Sequence, residues 1–99
     1  MLTGKQKRYL RSLGNELEPI LILGKGGITP NVIAQANEAL AAREIIKGRV
    51  LPNCLENTGV ISAELASQVR AELVQVIGRN FLLYRRADKN EKVKIILPD

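Results

Sequence analysis

Ile20-Leu21-Ile22-Leu23-Gly24-Lys25-Gly26-Gly27-Ile28-Thr29-Pro30 is the stretch from which the fold can be read. Its first four residues form an apolar run of strand length stopped by glycine, which predicts a first strand buried on both sides. Its last two open a helix. Thr29 can cap it with its hydroxyl, and Pro30 fits the first turn, where no N–H is needed. Val32, Ile33, Ala36 and Leu40 follow at helical spacing, so this helix is expected to run to about Ala42.

Toward the N-terminus, Thr3-Gly4-Lys5-Gln6 has the spacing of a capping box and predicts a helix that ends near Gly14. Leu2, Tyr9, Leu10, Leu13 and Leu17 gather on one side of it, and Lys5, Lys7, Arg8 and Arg11 spread over the other. Toward the C-terminus, Glu44 to Leu51 reads as a second strand ended by Pro52, with Lys47 and Arg49 on one side. A third helix is expected between Asn57 and Arg70. Leu73 to Ile77 and Asn80 to Arg85 are strands separated by Gly78-Arg79, which is hairpin spacing. Val93 to Leu97 reads as a short edge strand or an extended tail. The order helix, strand, helix, strand, helix, strand, strand predicts an α/β fold, a two-layer α-β-α-β-α-β-β sandwich on a four-stranded mixed sheet. Strands joined through helices should run parallel, and the last hairpin antiparallel.

The 99 residues are one domain's worth of chain, and 45% hydrophobic with 25% charged is an ordinary globular composition. With no His, no Trp and one Cys, the sequence has no intrachain disulfide, no Cys/His zinc cluster and no Ser-His or Cys-His nucleophile pair. Glu38, Glu44, Glu56, Glu64 and Glu72 are scattered and are expected to pair with nearby Lys or Arg rather than form a catalytic dyad. No enzymatic activity, cofactor, metal or small-molecule substrate is expected, and Cys54 reads as a small apolar residue. No apolar run is long enough for a membrane span or a signal peptide, so a cytoplasmic location without membrane contact is expected. The net charge of +5 and pI near 9.7 make a polyanion the first partner to consider. The two ends carry the excess: residues 1–30 hold five cations against two acids, and residues 73–99 six against three.

Gly24-Lys25-Gly26-Gly27 leaves a strand just before a helix N-terminus, a place that favours anions. The glycines let the backbone approach a phosphate and Lys25 adds a charge at the tip, although the same glycines also suit a plain tight turn. The loop satisfies neither the P-loop nor the dinucleotide pattern, since Thr29 stands where the latter has its last glycine. Its Gly-x-x-Gly spacing is the device by which KH domains clamp a nucleic-acid backbone, here joining strand to helix rather than two helices. Four cations and no acid between Lys5 and Arg11 tilt that helix face from a solvated surface toward a phosphate patch. Cations at Lys47 and Arg49 would be costly indoors, so their side of the sheet should be open to water or ligand. Arg79 belongs to the same basic set. Arg85 and Arg86, with Lys89, Lys92 and Lys94, either bind nucleic acid or solubilise an edge. Tyr84, among these basic residues, is placed to stack on a base, while Phe81 and Tyr9 suit the core. With three aromatics and no RNP sequences, recognition should rest on backbone and shape.

Leu2 to Arg11, the Gly24–Gly27 loop, Leu40 to Lys47, and Val74 to Arg79 leading to Leu82-Leu83-Tyr84-Arg85 resemble the CRM domain, the chloroplast RNA splicing and ribosome maturation family, in its bacterial stand-alone YhbY form. The resemblance covers nearly the whole chain. It implies an RNA-binding domain similar in fold to the C-terminal domain of translation initiation factor three. It further implies association with ribosomal RNA of large-subunit precursors, with Gly24, Lys25, Gly26 and Gly27 at the site and Lys5, Arg8 and Arg11 alongside. Near Arg70, members commonly carry a glycine that ends the third helix, and Pro52 to Thr58 is also less typical. The expected function is an RNA-binding ribosome-assembly factor. The alternative is a protein-interaction module whose basic surface meets an acidic partner protein.

Overall fold

The caps read from the sequence are present. In the computed structural model, which describes residues 2–99, Thr3 Oγ1 accepts from Gln6 N at 3.1 Å while Gln6 Oε1 accepts from Thr3 N at 3.0 Å, opening helix α1 (Gly4–Gly14). Thr29 Oγ1 accepts from Val32 N at 3.1 Å and Pro30 stands in the first turn of α2 (Pro30–Arg43). Asn57 Oδ1 takes the amides of Gly59 and Val60 at the start of α3 (Thr58–Gln68). Each cap satisfies amides that the helix itself leaves free.

The strands are β1 (Pro19–Leu23), β2 (Ile45–Val50), β3 (Glu72–Ile77) and β4 (Asn80–Tyr84), in the order β1-β2-β4-β3. β1 runs parallel to β2, and β4 runs antiparallel to both β2 and β3. β2 and β3, joined through α3, therefore point the same way with β4 inserted between them. The expected mixed four-stranded sheet and three helices are all there.

Alternation along the strands divides the core in two. Leu21, Leu23, Ile46, Val50, Phe81 and Leu83 pack with Val32, Ala36 and Leu40 of α2 and Ile61 and Leu65 of α3. On the opposite face Ile45, Val74, Leu82 and Tyr84 pack with Leu10 of α1. Thus α1 adds a partial third layer to the two-layer body. At the centre, Gly48 faces the Phe81 ring so closely that an added Cβ would collide with it, which is why a strand of branched residues has a glycine there. Both halves of this packing need the β2–β4 pairing.

The first strand departs from expectation. Leu21 and Leu23 are fully buried, but Ile20 and Ile22 are 40% and 45% exposed, because β1 is an edge strand that α1 does not reach across. Tyr9, expected in the core, is exposed. Val93 to Leu97 forms no strand; it is an extended tail after a short 3-10 turn at Asn90–Lys92, with Ile95 and Leu97 packed on the smaller core.

Glu44 holds that tail. It follows α2 with φ 65 and is 1% exposed. Its Oε1 accepts from Lys94 N at 2.7 Å and Ile95 N at 2.8 Å, and its Oε2 accepts from Ala87 N at 2.8 Å. Backbone amides, not the Lys or Arg pairing expected from sequence, are thus its partners. Burial alone would raise the carboxyl's pKa, yet the three amides and nearby Arg86 outweigh it and hold the group below its ordinary 4.5.

Arg70 occupies the left-handed region at φ 57, with Arg70 N donating to Ser67 O and Ala71 N to Ala66 O, the double bond pattern of a Schellman stop. A glycine would sit there without strain, which explains why the position stood out in the sequence.

Arg70→Gly should raise stability by about 0.5–1 kcal/mol in urea unfolding, the relief of left-handed strain exceeding the added freedom of the unfolded chain. Glu44→Gln should cost about 2 kcal/mol at neutral pH, since an amide donor would face backbone donors. A carboxyl with a lowered folded pKa stabilises above its unfolded value and stops doing so as pH falls through the folded one. The wild-type advantage over Glu44→Gln in urea midpoint should therefore be full above about pH 4.5 and shrink below it.

Candidate nucleic-acid interface

Because β1 and β2 are parallel, their C-terminal ends lie together, and the antiparallel β3–β4 hairpin turns at the same end. The loops are tied there by Leu51 N donating to Leu23 O at 2.8 Å and Val50 N to Arg79 O at 2.7 Å. Three connections converge: Gly24–Gly27, Leu51–Asn57 and Gly78-Arg79. The N-termini of α2 and α3 open from the first two, so two helix dipoles present their positive ends in one place.

Gly24 to Gly27 is a tight turn closed by Gly27 N donating to Gly24 O at 2.9 Å, and Gly27 takes φ 64, where a side chain is strained. Lys25 and Gly26 form its exposed tip, and their amides find no acceptor among the described residues. Lys25, Gly26 and Gly27 share a groove of about 480 Å³ with Asn53, Cys54, Leu55 and Glu56. The last three also line a second groove that reaches Gly78 and Arg79. Leu55 projects at its rim, 99% exposed, and the Glu56 carboxylate stands beside Gly27. The Pro52 to Thr58 segment, unassigned from sequence, is thus the wall facing the glycine turn. Buried Cys54 contributes to both grooves as an apolar residue.

Of the residues expected at a binding surface, this end gathers Gly24, Lys25, Gly26, Gly27, Arg79 and Arg49, the last paired with Asn80 beside the hairpin. Lys47, half-buried, stands two residues before Arg49 on the same sheet face as α1. Lys5 and Lys7 lie at the other end, where Leu2 N donates to Glu72 Oε1 and Gln6 Nε2 to Pro98 O. Helix α1 carries Arg8 and Arg11 from there toward Asn15, which borders a hollow with Lys47 and Asn80. The cations therefore follow α1 across the sheet toward the loop end.

Two expected site residues lie elsewhere. Tyr84 is 4% exposed, its ring packed in the smaller core, so no face is free to stack on a base. Burial, with the Glu44 charge, pushes its phenol pKa up and keeps it protonated. Arg85 is half-buried and spent on the protein: Nη1 donates to Asn37 Oδ1 and Val69 O, both at 2.8 Å, and Nη2 to Asn37 O at 3.1 Å. It ties the end of β4 to the middle of α2 and the C-terminal end of α3. Sequence reasoning missed Asn80, Gln75 and the exposed isoleucines around Lys47, although the two cations on one side of β2 already pointed to an open face. Among the described residues no cluster of His, Cys, Asp or Glu is placed to hold a metal ion, and no helix is long and apolar enough to cross a membrane.

The chain is similar to several known proteins. The chain is 46% identical over 95 residues to "Probable RNA-binding protein YqeI" of Bacillus subtilis, covering 96% of this chain and 99% of that protein. It is 36% identical over 97 residues to an "RNA-binding protein" of Haemophilus influenzae, covering 98% and 95%. The solution structure of a Staphylococcus aureus protein, 46% identical, matches with a TM-score of 0.79 over 99% of this chain and all of that one. Residues 2–85 match the CRS1 / YhbY (CRM) domain, and the chain belongs to that family.

Proposed function

We propose that this protein binds RNA by gripping its sugar-phosphate backbone at the Gly24–Gly27 turn, with Arg49, Arg79 and the basic face of α1 extending the contact. The observation that carries this reading is the convergence, at one end of the sheet, of an exposed lysine-tipped turn with free amides and two helix N-termini. A phosphate there would accept from the Lys25 and Gly26 amides and meet the Lys25 charge. The Glu56 carboxylate beside Gly27 keeps the anion at the rim of the groove. The names of the relatives support RNA as the ligand class. The finer reading, a cytoplasmic assembly factor on ribosomal RNA of the large-subunit precursor, draws on what the CRM resemblance implies. The protein acts by binding, not catalysis.

Titration of a structured ribosomal RNA fragment at several salt concentrations tests the loop. Lys25→Ala should weaken binding and flatten the slope of log affinity against log salt by about 0.7–0.9, the loss of one phosphate contact. An unchanged slope removes the turn from the site. In sucrose gradients the protein should travel with large-subunit precursor particles and leave them on nuclease treatment; absence from those particles rejects the ribosomal assignment. Arg85→Ala separates structure from contact. It should cost about 1–2 kcal/mol of stability through its lost hydrogen bonds, while the salt slope measured on the folded protein stays at the wild-type value.

A further inference from the structure

Helix α1 covers only part of its face of the sheet, and the remainder has a definite composition. Across the four strands runs one row of paired residues: Ile22 on β1, Arg49 on β2, Asn80 on β4 and Ile77 on β3. The next row, Lys47, Leu82 and Gln75, marks the boundary of that cover, since Leu82 is buried beneath Gly14 of α1. Ile20, Ile22 and Ile77 are 40%, 45% and 60% exposed, so apolar side chains flank a centre of cation and amide. No acid stands in either row; Glu16 and Glu18 lie in the α1–β1 connection. Between α1 and the sheet is a hollow of about 160 Å³, roughly five waters' worth of space, walled by Asn15, Lys47, Gln75, Ile77 and Asn80. Asn80 lines this hollow, and its side-chain Oδ1 is turned out of the solvent with no donor to pair it. A buried acceptor without a partner is rare and costs free energy until a donor arrives.

Resting on the RNA reading above, we propose that this uncovered half of the sheet is a platform for unpaired nucleobases, with one base entering the hollow beside Asn80. The chemistry selects that occupant. Each base carries an N–H on its pairing edge that can donate to Asn80 Oδ1 once the side-chain amide turns into the hollow, a turn that relieves its unpaired state, whereas the carboxylates of an acidic protein offer only acceptors. Ile20, Ile22 and Ile77, with the Arg49 guanidinium plane, give apolar and planar surfaces on which bases stack. Lys47 and Arg49 meet the phosphates that flank such bases. A paired duplex cannot use this face, because its pairing edges and stacking surfaces are already occupied. The platform therefore adds a preference for single-stranded, bulged or looped RNA to a backbone grip that is blind to sequence.

The test compares two RNAs of equal phosphate count by fluorescence anisotropy, a stem carrying a four-nucleotide unpaired bulge and a fully paired stem without the bulge that is two base pairs longer. The unmutated protein should bind the bulged RNA about ten-fold more tightly, the scale of one or two stacked bases. Ile22→Ser, at an exposed position, and Asn80→Ala should each erase most of that preference with the salt slope unchanged. Lys25→Ala should flatten the slope and keep the preference. Equal binding of the two RNAs by the unmutated protein, or a preference untouched by both platform substitutions, overturns the platform and leaves the loop reading standing. A face that binds polyglutamate in an Ile22-dependent way while RNA preference ignores the substitution would assign it to an acidic protein instead. Failure to bind either RNA overturns the RNA reading and the platform together.

Discussion

Parallel pairing of β1 with β2 is the constraint from which the rest of the molecule follows. Two parallel strands cannot be joined by a hairpin, so α2 must cross between them, and both strands then finish at the same end of the sheet. The helix that follows the first strand and the helix that follows the second both have to start there. Antiparallel β4 brings its hairpin to that end as well. The gathering of a glycine turn, two helix N-termini, Arg49 and Arg79 is thus a consequence of topology, with the local sequence supplying only the cations and the glycines.

The unequal cover of the two sheet faces is also geometric. Four strands at about 4.8 Å spacing span about 19 Å, and a helix with its side chains is about 10 Å across, so two helices cover a face and one leaves roughly half of it bare. Helices α2 and α3 close one face over the larger core. Helix α1 lies over β2, β4 and β3 on the other and leaves β1 and the loop-ward rows uncovered. Solvation of Lys47 and Arg49 requires such an opening, since buried cations without partners would be far costlier than the exposed isoleucines beside them. Charge on the strand and bare surface above it are one feature.

Local signals were legible in the sequence wherever one element settles its own conformation. Thr3 with Gln6, Thr29 with Pro30, and Gly78-Arg79 marked helix starts and a hairpin, because caps and turns are decided by neighbours in the chain. What stayed hidden depended on distant partners. Nothing near Arg85 tells that its guanidinium reaches Asn37 and Val69, and nothing near Glu44 tells that a tail some fifty residues on will wrap its carboxylate. Tyr84 reads as basic company in sequence and as core in space, since alternation in β4 turns it toward α1 while Arg85 turns the other way. An apolar run such as Ile20 to Leu23 does not state whether one or both faces are covered.

Arg85 and Glu44 also show how the fold keeps its charged groups from competing with the proposed ligand. Both are drawn into the body by backbone partners: three amides converge on the carboxylate, and two carbonyls and a side-chain amide on the guanidinium. The remaining cations on α1, β2, the glycine turn and the hairpin keep their heads in water, where a phosphate can reach them with little desolvation. Arg43, Arg70, Lys89 and Lys92 are exposed elsewhere, so it is the clustering of cations along α1 and at the loop end, not exposure alone, that marks the surface where a polyanion would lie. The family match ends at residue 85, yet the tail beyond it is fastened to Glu44 inside the matched region. The tail is held as well by Gln6 Nε2 donating to Pro98 O, by Lys94 Nζ donating to Ala42 O and by Ile95 and Leu97 in the smaller core, so its anchoring is shared among Glu44, α1 and α2.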